Sequence, residues 1–256
     1  MVTQMRTLAV ANMKGGVGKT TTAVHLSAGL AQKGRRVLLV DADPQGNIGH
    51  VLDVRSDKTI RDLMLDTVSA TDVIVRAVRP NLDVILAAPS AFALDTQLAG
   101  VMQRETVLKR RLATLTDFDY IILDTSPSMS LLAYNALLAA NEIVVPVGMD
   151  NLALTGMRQT LEGIREIRSL WPDRVLTLAA VVPTTVNPQT YASRAVVAAL
   201  EADPDAASRL FRPGIRQCIE LTYAAAAHQT IWESAPKSRA AEDYLALVEF
   251  IESQHV

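Results

Sequence analysis

The sequence predicts an α/β fold: a doubly wound, mostly parallel sheet with helices on both faces. Three observations point there. Short apolar runs rich in β-branched residues recur from end to end, and helical stretches separate them. The runs are continuously apolar rather than alternating, as strands covered on both faces are. At 49% apolar and 20% charged, the 256 residues exclude a disordered or fibrous chain and suffice for a core without covalent staples.

Each element has a local reason. A strand at 8–11 leads into a glycine-rich turn and a helix at 20–32, which Gly34 closes where a left-handed C-terminal residue belongs. The run VLLV predicts a strand at 37–40, followed by a Pro-Gly turn in DADPQGN. Further strands are expected at 82–87, 120–123, 143–147 and 176–182, and helices at 105–115, 131–140, 155–170 and 191–201. A helix at 239–253 closes the chain. The stretch 183–219, with Pro183, Pro188, Pro204 and Pro213, reads as loops and short elements. With no repeat or linker, residues 1–256 are expected to form a single domain.

Composition also narrows the function. Cys218, the sole cysteine, rules out an intramolecular disulfide and a metal site built from cysteines of one chain; it reads as a small core residue. The start, MVTQMRTLAV, reads as no secretory leader, and no run of ~18 uninterrupted apolar residues predicts a transmembrane helix. A net charge of −2 means that any footprint for nucleic acid must be local. His25, Trp171 and Trp232 read as packing residues, and Lys109-Arg110-Arg111 as a solvated face.

The strongest motif is KGGVGKT, Lys14 to Thr20, between a strand and a helix. The glycines let backbone N–H groups close around phosphate oxygens, and the helix N-terminus adds partial positive charge. Lys19 is placed to reach the β- and γ-phosphates, and Thr20 to set its hydroxyl on Mg²⁺. Met13 stands where the ordinary phosphate loop has glycine, and Lys14 adds a second lysine: the deviant Walker A form. Tyr120–Asp124 is an apolar strand ending in an acid, the Walker B arrangement, so Asp124 is expected to join Thr20 at the metal. In DADPQGN, Asp43 is expected to orient the attacking water as well as approach the metal, with Asp41 assisting; the plain alternative for both is turn formation.

These motifs, with NLDVILAAPS, FDYIILDTSPS, VVPVGMDNLALTGM and WESAPKSRAAEDYLAL, resemble the ParA branch of the ParA/MinD P-loop ATPases. The resemblance implies a partition ATPase that uses ATP and Mg²⁺ and pairs face to face as a homodimer when ATP is bound. Lys14 would reach the partner chain's phosphates, joining Lys19, Asp43 and Asp41 as catalytic residues. The nucleotide would meet Lys14, Gly15, Gly16, Val17, Gly18, Lys19, Thr20 and Thr21, with Asn187 and Pro236 near the adenine. The dimer would bind duplex DNA without sequence preference, a ParB-like partner would stimulate hydrolysis, and the protein would be cytoplasmic and nucleoid-associated, with no membrane partner.

Some positions depart from the family pattern. SPSMS, Ser126 to Ser130, replaces P-P-S-L-G after the Walker B acid, and Asp150 stands where Glu is common. Two arginines that bind DNA in some relatives align with Gln189 and Glu220. Residues 186–256 carry 6 basic and 9 acidic side chains. That leaves Arg194, Arg209, Arg212 and Arg216 as candidates for DNA phosphates; the plain alternative is four solvated arginines. Other expectations are weaker. A MinD-like membrane ATPase needs a basic amphipathic C-terminus, whereas this one is acidic. An iron–sulfur relative needs more than Cys218. A metabolic P-loop ligase needs a second substrate pocket. A ParA relative that positions a protein cargo or organelle would share the same nucleotide residues.

Overall fold

In the computed structural model, residues 5–150 and 152–254 are described. The start of the chain, on which the absence of a leader was read, and Asn151 of the DNLALTG block lie outside them. The strands are β1 (Arg6–Val10), β2 (Val37–Ala42), β3 (Ile74–Arg79), β4 (Leu82–Ile85), β5 (Tyr120–Thr125), β6 (Glu142–Val147) and β7 (Thr177–Pro183). They form one sheet in the order β3-β4-β2-β5-β1-β6-β7. Among the described residues every pairing of these strands is parallel except β3 with β4.

The continuous apolar runs arise because each strand feeds two cores. Along β5, Ile121 and Leu123 enter one cluster while Tyr120 and Ile122 enter the other. The first face is covered by helices Val107–Leu112, Leu131–Ala139, Ala153–Leu170 and Tyr191–Ala202. The opposite face is covered by helices Lys19–Gln32, Asn47–Leu52 and Arg239–Ser253. Burial on both sides demands apolar residues at every position.

All six expected strands are present, and each expected helix occurs within a few residues of its bounds. The expected helix at 105–115 is shorter, with a 3₁₀ turn at Arg104–Thr106 before Val107–Leu112. β3 was not anticipated. It is a half-exposed edge strand, IVRAVR, turned back through Pro80 and Asn81, the latter with φ 60°. The loop-like stretch after Pro183 does hold irregular backbone, including the 3₁₀ turn Ala207–Arg209.

β1, β2 and β5 lie side by side and end together. Asp41 is the register partner of Asp124, and Val10 pairs with Asp124 on its other side. A crevice at the carboxyl ends of parallel strands is where open α/β sheets bind ligands.

Candidate functional site

The loop after β1 is shaped by its glycines. Gly16 has φ 73° and Gly18 has φ 80°, left-handed values that disfavour side chains. At Gly15 and Gly16 an added Cβ would meet nothing, so the backbone faces open space. Gly18 precedes the Lys19–Gln32 helix, whose Thr22 N–H returns to Gly18 O at 2.8 Å. Lys19 is buried, and its ammonium donates to Lys14 O at 2.8 Å, closing the loop. Burial lowers its pKa, against the opposing pull of Asp124 and Asp43.

Below the loop stand three carboxylates. Asp124 is fully buried, and neither of its oxygens has a hydrogen-bond partner among the described residues. Burial and then Asp41 push its acid well above the ordinary range, with Thr20 and Lys19 acting in the opposite direction. Two unpartnered buried oxygens beside a threonine hydroxyl form a donor set suited to a small hard cation. Asp43 accepts from Gln45 N at 3.0 Å, which holds the DADPQGN turn. Asp41, expected to assist around the metal, also has a task in the backbone of the turn. Its two oxygens accept from the backbone N–H of Asp43 (3.1 Å) and of Ile48 (3.2 Å), so it shapes the turn that carries Asp43. Burial raises its pKa to about 7.

Several supporting residues carried no role in the sequence reading. Asn12 Oδ1 accepts from Lys14 N at 2.9 Å while its amide donates to Pro146 O at 2.7 Å. Thr160 Oγ1 accepts from Met13 N at 3.0 Å. Thr184 Oγ1 donates to Val17 O at 3.0 Å. Gly156 lets the Ala153–Leu170 helix approach: a Cβ there would lie 2.8 Å from Lys14 Cβ and 2.9 Å from Asn12 Oδ1. Its signal was in view, inside the LTGM block, but only packing reveals what the glycine is for. Lys14 Nζ pairs with Asp150, whose pKa this contact lowers. Ser130 caps the Leu131–Ala139 helix by accepting from Ala133 N at 3.2 Å.

A cleft of about 730 Å³ runs from Gly16, Gly18 and Thr21 to a wall made by Gln217–Leu221 and Arg239. Asn187 and Pro236, expected near the base, are not among its lining residues; Asn187 stands behind it, with Nδ2 3.5 Å from Gln217 Oε1. Cys218 is half-buried on this wall, packed against the small cluster of Ala224, Ile231, Ala240 and Ala241, and its thiol donates to Glu220 at 2.8 Å. The four candidate DNA arginines do not form one patch. Arg194, Arg212 and Arg216 share a groove with Glu201, while Arg209 lies beside Gln254 at the opposite end of β7. All four are engaged within the chain: Arg194 with Pro188 O and Gln189 O, Arg212 with Glu201, Arg209 with Gln254 and Arg216 with Asp243. The acidic C-terminal helix buries its apolar face, including Tyr244, Leu247, Val248 and Ile251.

Sheet order, glycine loop and buried carboxylates define a P-loop nucleotide-binding protein. A family model described as an AAA domain matches residues 5–175. The sporulation initiation inhibitor protein Soj of Bacillus subtilis (strain 168) is 36% identical over 245 residues, spanning 94% of this chain and 95% of that one. The chromosome-partitioning ATPase Soj of Thermus thermophilus is also 36% identical, spanning 96% and 95%. Among solved structures, an aspartate-to-alanine variant of Cyanothece McdA in complex with ATP superposes with a TM-score of 0.88 at 26% identity, covering 97% of this chain and 96% of that one. Cobyrinic acid a,c-diamide synthase from Mycobacterium smegmatis, with bound ADP and magnesium, gives 0.82 at 32% identity, covering 96% and 93%. The chain belongs to the ParA/Soj family of P-loop partition ATPases.

Proposed function

We propose that residues 1–256 act as one cytoplasmic, nucleoid-associated ATPase domain that partitions DNA by switching between two states. In this reading Mg²⁺-ATP draws two chains face to face, the dimer holds duplex DNA through phosphates alone, and a ParB-like partner triggers hydrolysis. The carrying observation is Asp124: two buried oxygens without hydrogen-bond partners among the described residues, beside Thr20 and Lys19, beneath an open glycine loop.

Each residue has a task in this proposal. Backbone N–H groups of Gly15 to Lys19 bind phosphate oxygens, and Lys19 neutralises them at the β- and γ-positions. Thr20 and Asp124 hold Mg²⁺, which, when bound, offsets charge on the transferring phosphoryl group. Asp43, carried on a turn that Asp41 braces, orients the attacking water. Lys14 exchanges Asp150 for the phosphates of the second chain, so dimerisation depends on the γ-phosphate. The C-terminal helix buries Tyr244, Leu247, Val248 and Ile251 against the sheet, and in this proposal it has no membrane partner.

The test is ATP hydrolysis with and without Mg²⁺, together with binding to random-sequence duplex DNA across a salt series with ATP analogue, ADP or no nucleotide. Mg²⁺-dependent turnover, and DNA binding that needs the analogue and weakens steeply with salt, support the reading. Turnover without DNA binding in any state refutes the DNA arm and turns the search to a protein cargo, a role that the bound-up arginines also suit. Absence of turnover refutes the ATPase reading.

A further inference from the structure

The far wall of the nucleotide cleft is tied to the C-terminal helix chiefly through Asp243. Asp243 is buried, yet it lies on that helix with its carboxylate turned toward Arg216. It accepts from Arg216 N at 2.8 Å, from Nε at 3.0 Å by each oxygen, and from Nη2 at 2.7 Å. Arg216 Nη2 also donates to Glu242 at 3.2 Å and to Arg239 O at 3.4 Å. On the other side, the strip is stitched to Val186: Val186 N donates to Ile215 O at 3.0 Å, and Gln217 N to Val186 O at 2.9 Å. Arg216 itself lines the cleft. Arg216 therefore belongs both to the lining of the space where a nucleoside would sit and to the pair with Asp243. Charge-assisted, bidentate contacts of this kind set geometry as well as adding energy.

We propose that Asp243 is a positioning residue for the nucleoside: acting through Arg216, it sets the Gln217–Leu221 wall and so the affinity for base and sugar, while leaving the phosphate loop unchanged. The inference rests on the nucleotide reading above. It also gives Arg216 a task other than holding DNA, because a guanidinium spent on Asp243, Glu242 and a backbone carbonyl has few donors left.

The experiment is calorimetric titration of the full chain with a non-hydrolysable Mg²⁺-ATP analogue and, separately, with inorganic tripolyphosphate. Four proteins are compared: the wild type, Asp243→Asn, Arg216→Gln and the double variant. Asp243→Asn should weaken the analogue roughly tenfold or more, the scale at which breaking one partner of a buried charge pair acts on binding. Tripolyphosphate, which has no base or sugar, should be bound as in the wild type. The double variant should be no worse than the weaker single variant, because the two residues act as one unit. Asp243→Glu, which keeps the carboxylate, should recover part of the loss. If Asp243→Asn does not fold, Arg216→Gln alone carries the same comparison. Unchanged analogue affinity in both single variants, or an equal loss for tripolyphosphate, overturns the inference while the nucleotide reading stands. A wild type that binds neither probe overturns both.

Discussion

Lowering the pH should loosen the anchor between the phosphate-loop helix and the C-terminal half through one histidine, His25. Its ring is buried: Nδ1 donates to Thr21 O at 2.8 Å, and Nε2 accepts from the Ile231 N–H at 3.0 Å. Only the neutral ring protonated at Nδ1 satisfies both contacts; a second proton would face the Ile231 N–H. The ring also stacks on Tyr244 at 4.8 Å, with Trp232 at 6.0 Å. Burial lowers its pKa from 6.5 to about 4. The unfolded chain therefore takes up a proton near pH 6.5 that the native state refuses until about pH 4. The stabilisation is fully present above pH 6.5 and is lost as pH falls through that window, amounting to about 3 kcal/mol across it. The assay is urea unfolding followed by tryptophan fluorescence at about pH 7.5, 6.5, 5.5 and 4.5, for the wild type and His25→Gln. Gln has nothing to titrate there, so the variant subtracts the pH dependence of every other group. The wild-type advantage should shrink by about 2–3 kcal/mol between about pH 7.5 and 4.5. A difference that stays constant with pH would show that His25 titrates normally and refute the reasoning.

Four further outcomes are expected. Asp43→Ala should bind ATP much as the wild type does yet hydrolyse it about a hundredfold or more slowly, as loss of a water-positioning group does; single-turnover kinetics separate the two effects, and wild-type turnover would remove Asp43 from its role. Lys14→Ala should abolish ATP-dependent dimerisation in sedimentation experiments. Asp150→Asn, by freeing Lys14 in each chain from a half-exposed pair worth about 0–1 kcal/mol, should strengthen dimerisation by no more than about thirtyfold; weaker dimerisation would show that Asp150 does not compete for Lys14. Gly156→Ala should lower stability by about 1–3 kcal/mol, because its Cβ overlaps Lys14 and Asn12, and should weaken nucleotide binding with it. An unchanged melting temperature would mean that the helix shifts without cost.

Legibility followed the range of the interactions. The loop Lys14–Thr20 was readable because a phosphate cradle of this kind is built from backbone amides of consecutive residues, so glycine spacing alone encodes it. Asp124 was readable because a buried strand ending in an acid is anomalous against its own apolar run. The edge strand β3 escaped because half-exposed IVRAVR has only weak alternation, and Ala77, with φ 52°, interrupts its pairing. The bracing of the turn by Asp41 was not legible, because the sequence shows two acids around one alanine and does not say which faces the backbone. The arginines Arg209, Arg212 and Arg216 look clustered in the chain, but the fold turns Arg209 to the opposite end of β7 and ties Arg216 to an acid 27 residues on.

By itself, then, the sequence determined the fold class, the family and the glycine loop, because these rest on hydrophobic periodicity and on contiguous backbone geometry. Tertiary structure alone decided the rest. The partner of Lys14 is 136 residues away, the ring of His25 meets a backbone amide 206 residues away, and the nucleoside wall is held from the C-terminal helix. Such contacts arise where distant segments pack. Their partners are chosen by which faces the two cores bury, and no local spacing of residues records that choice.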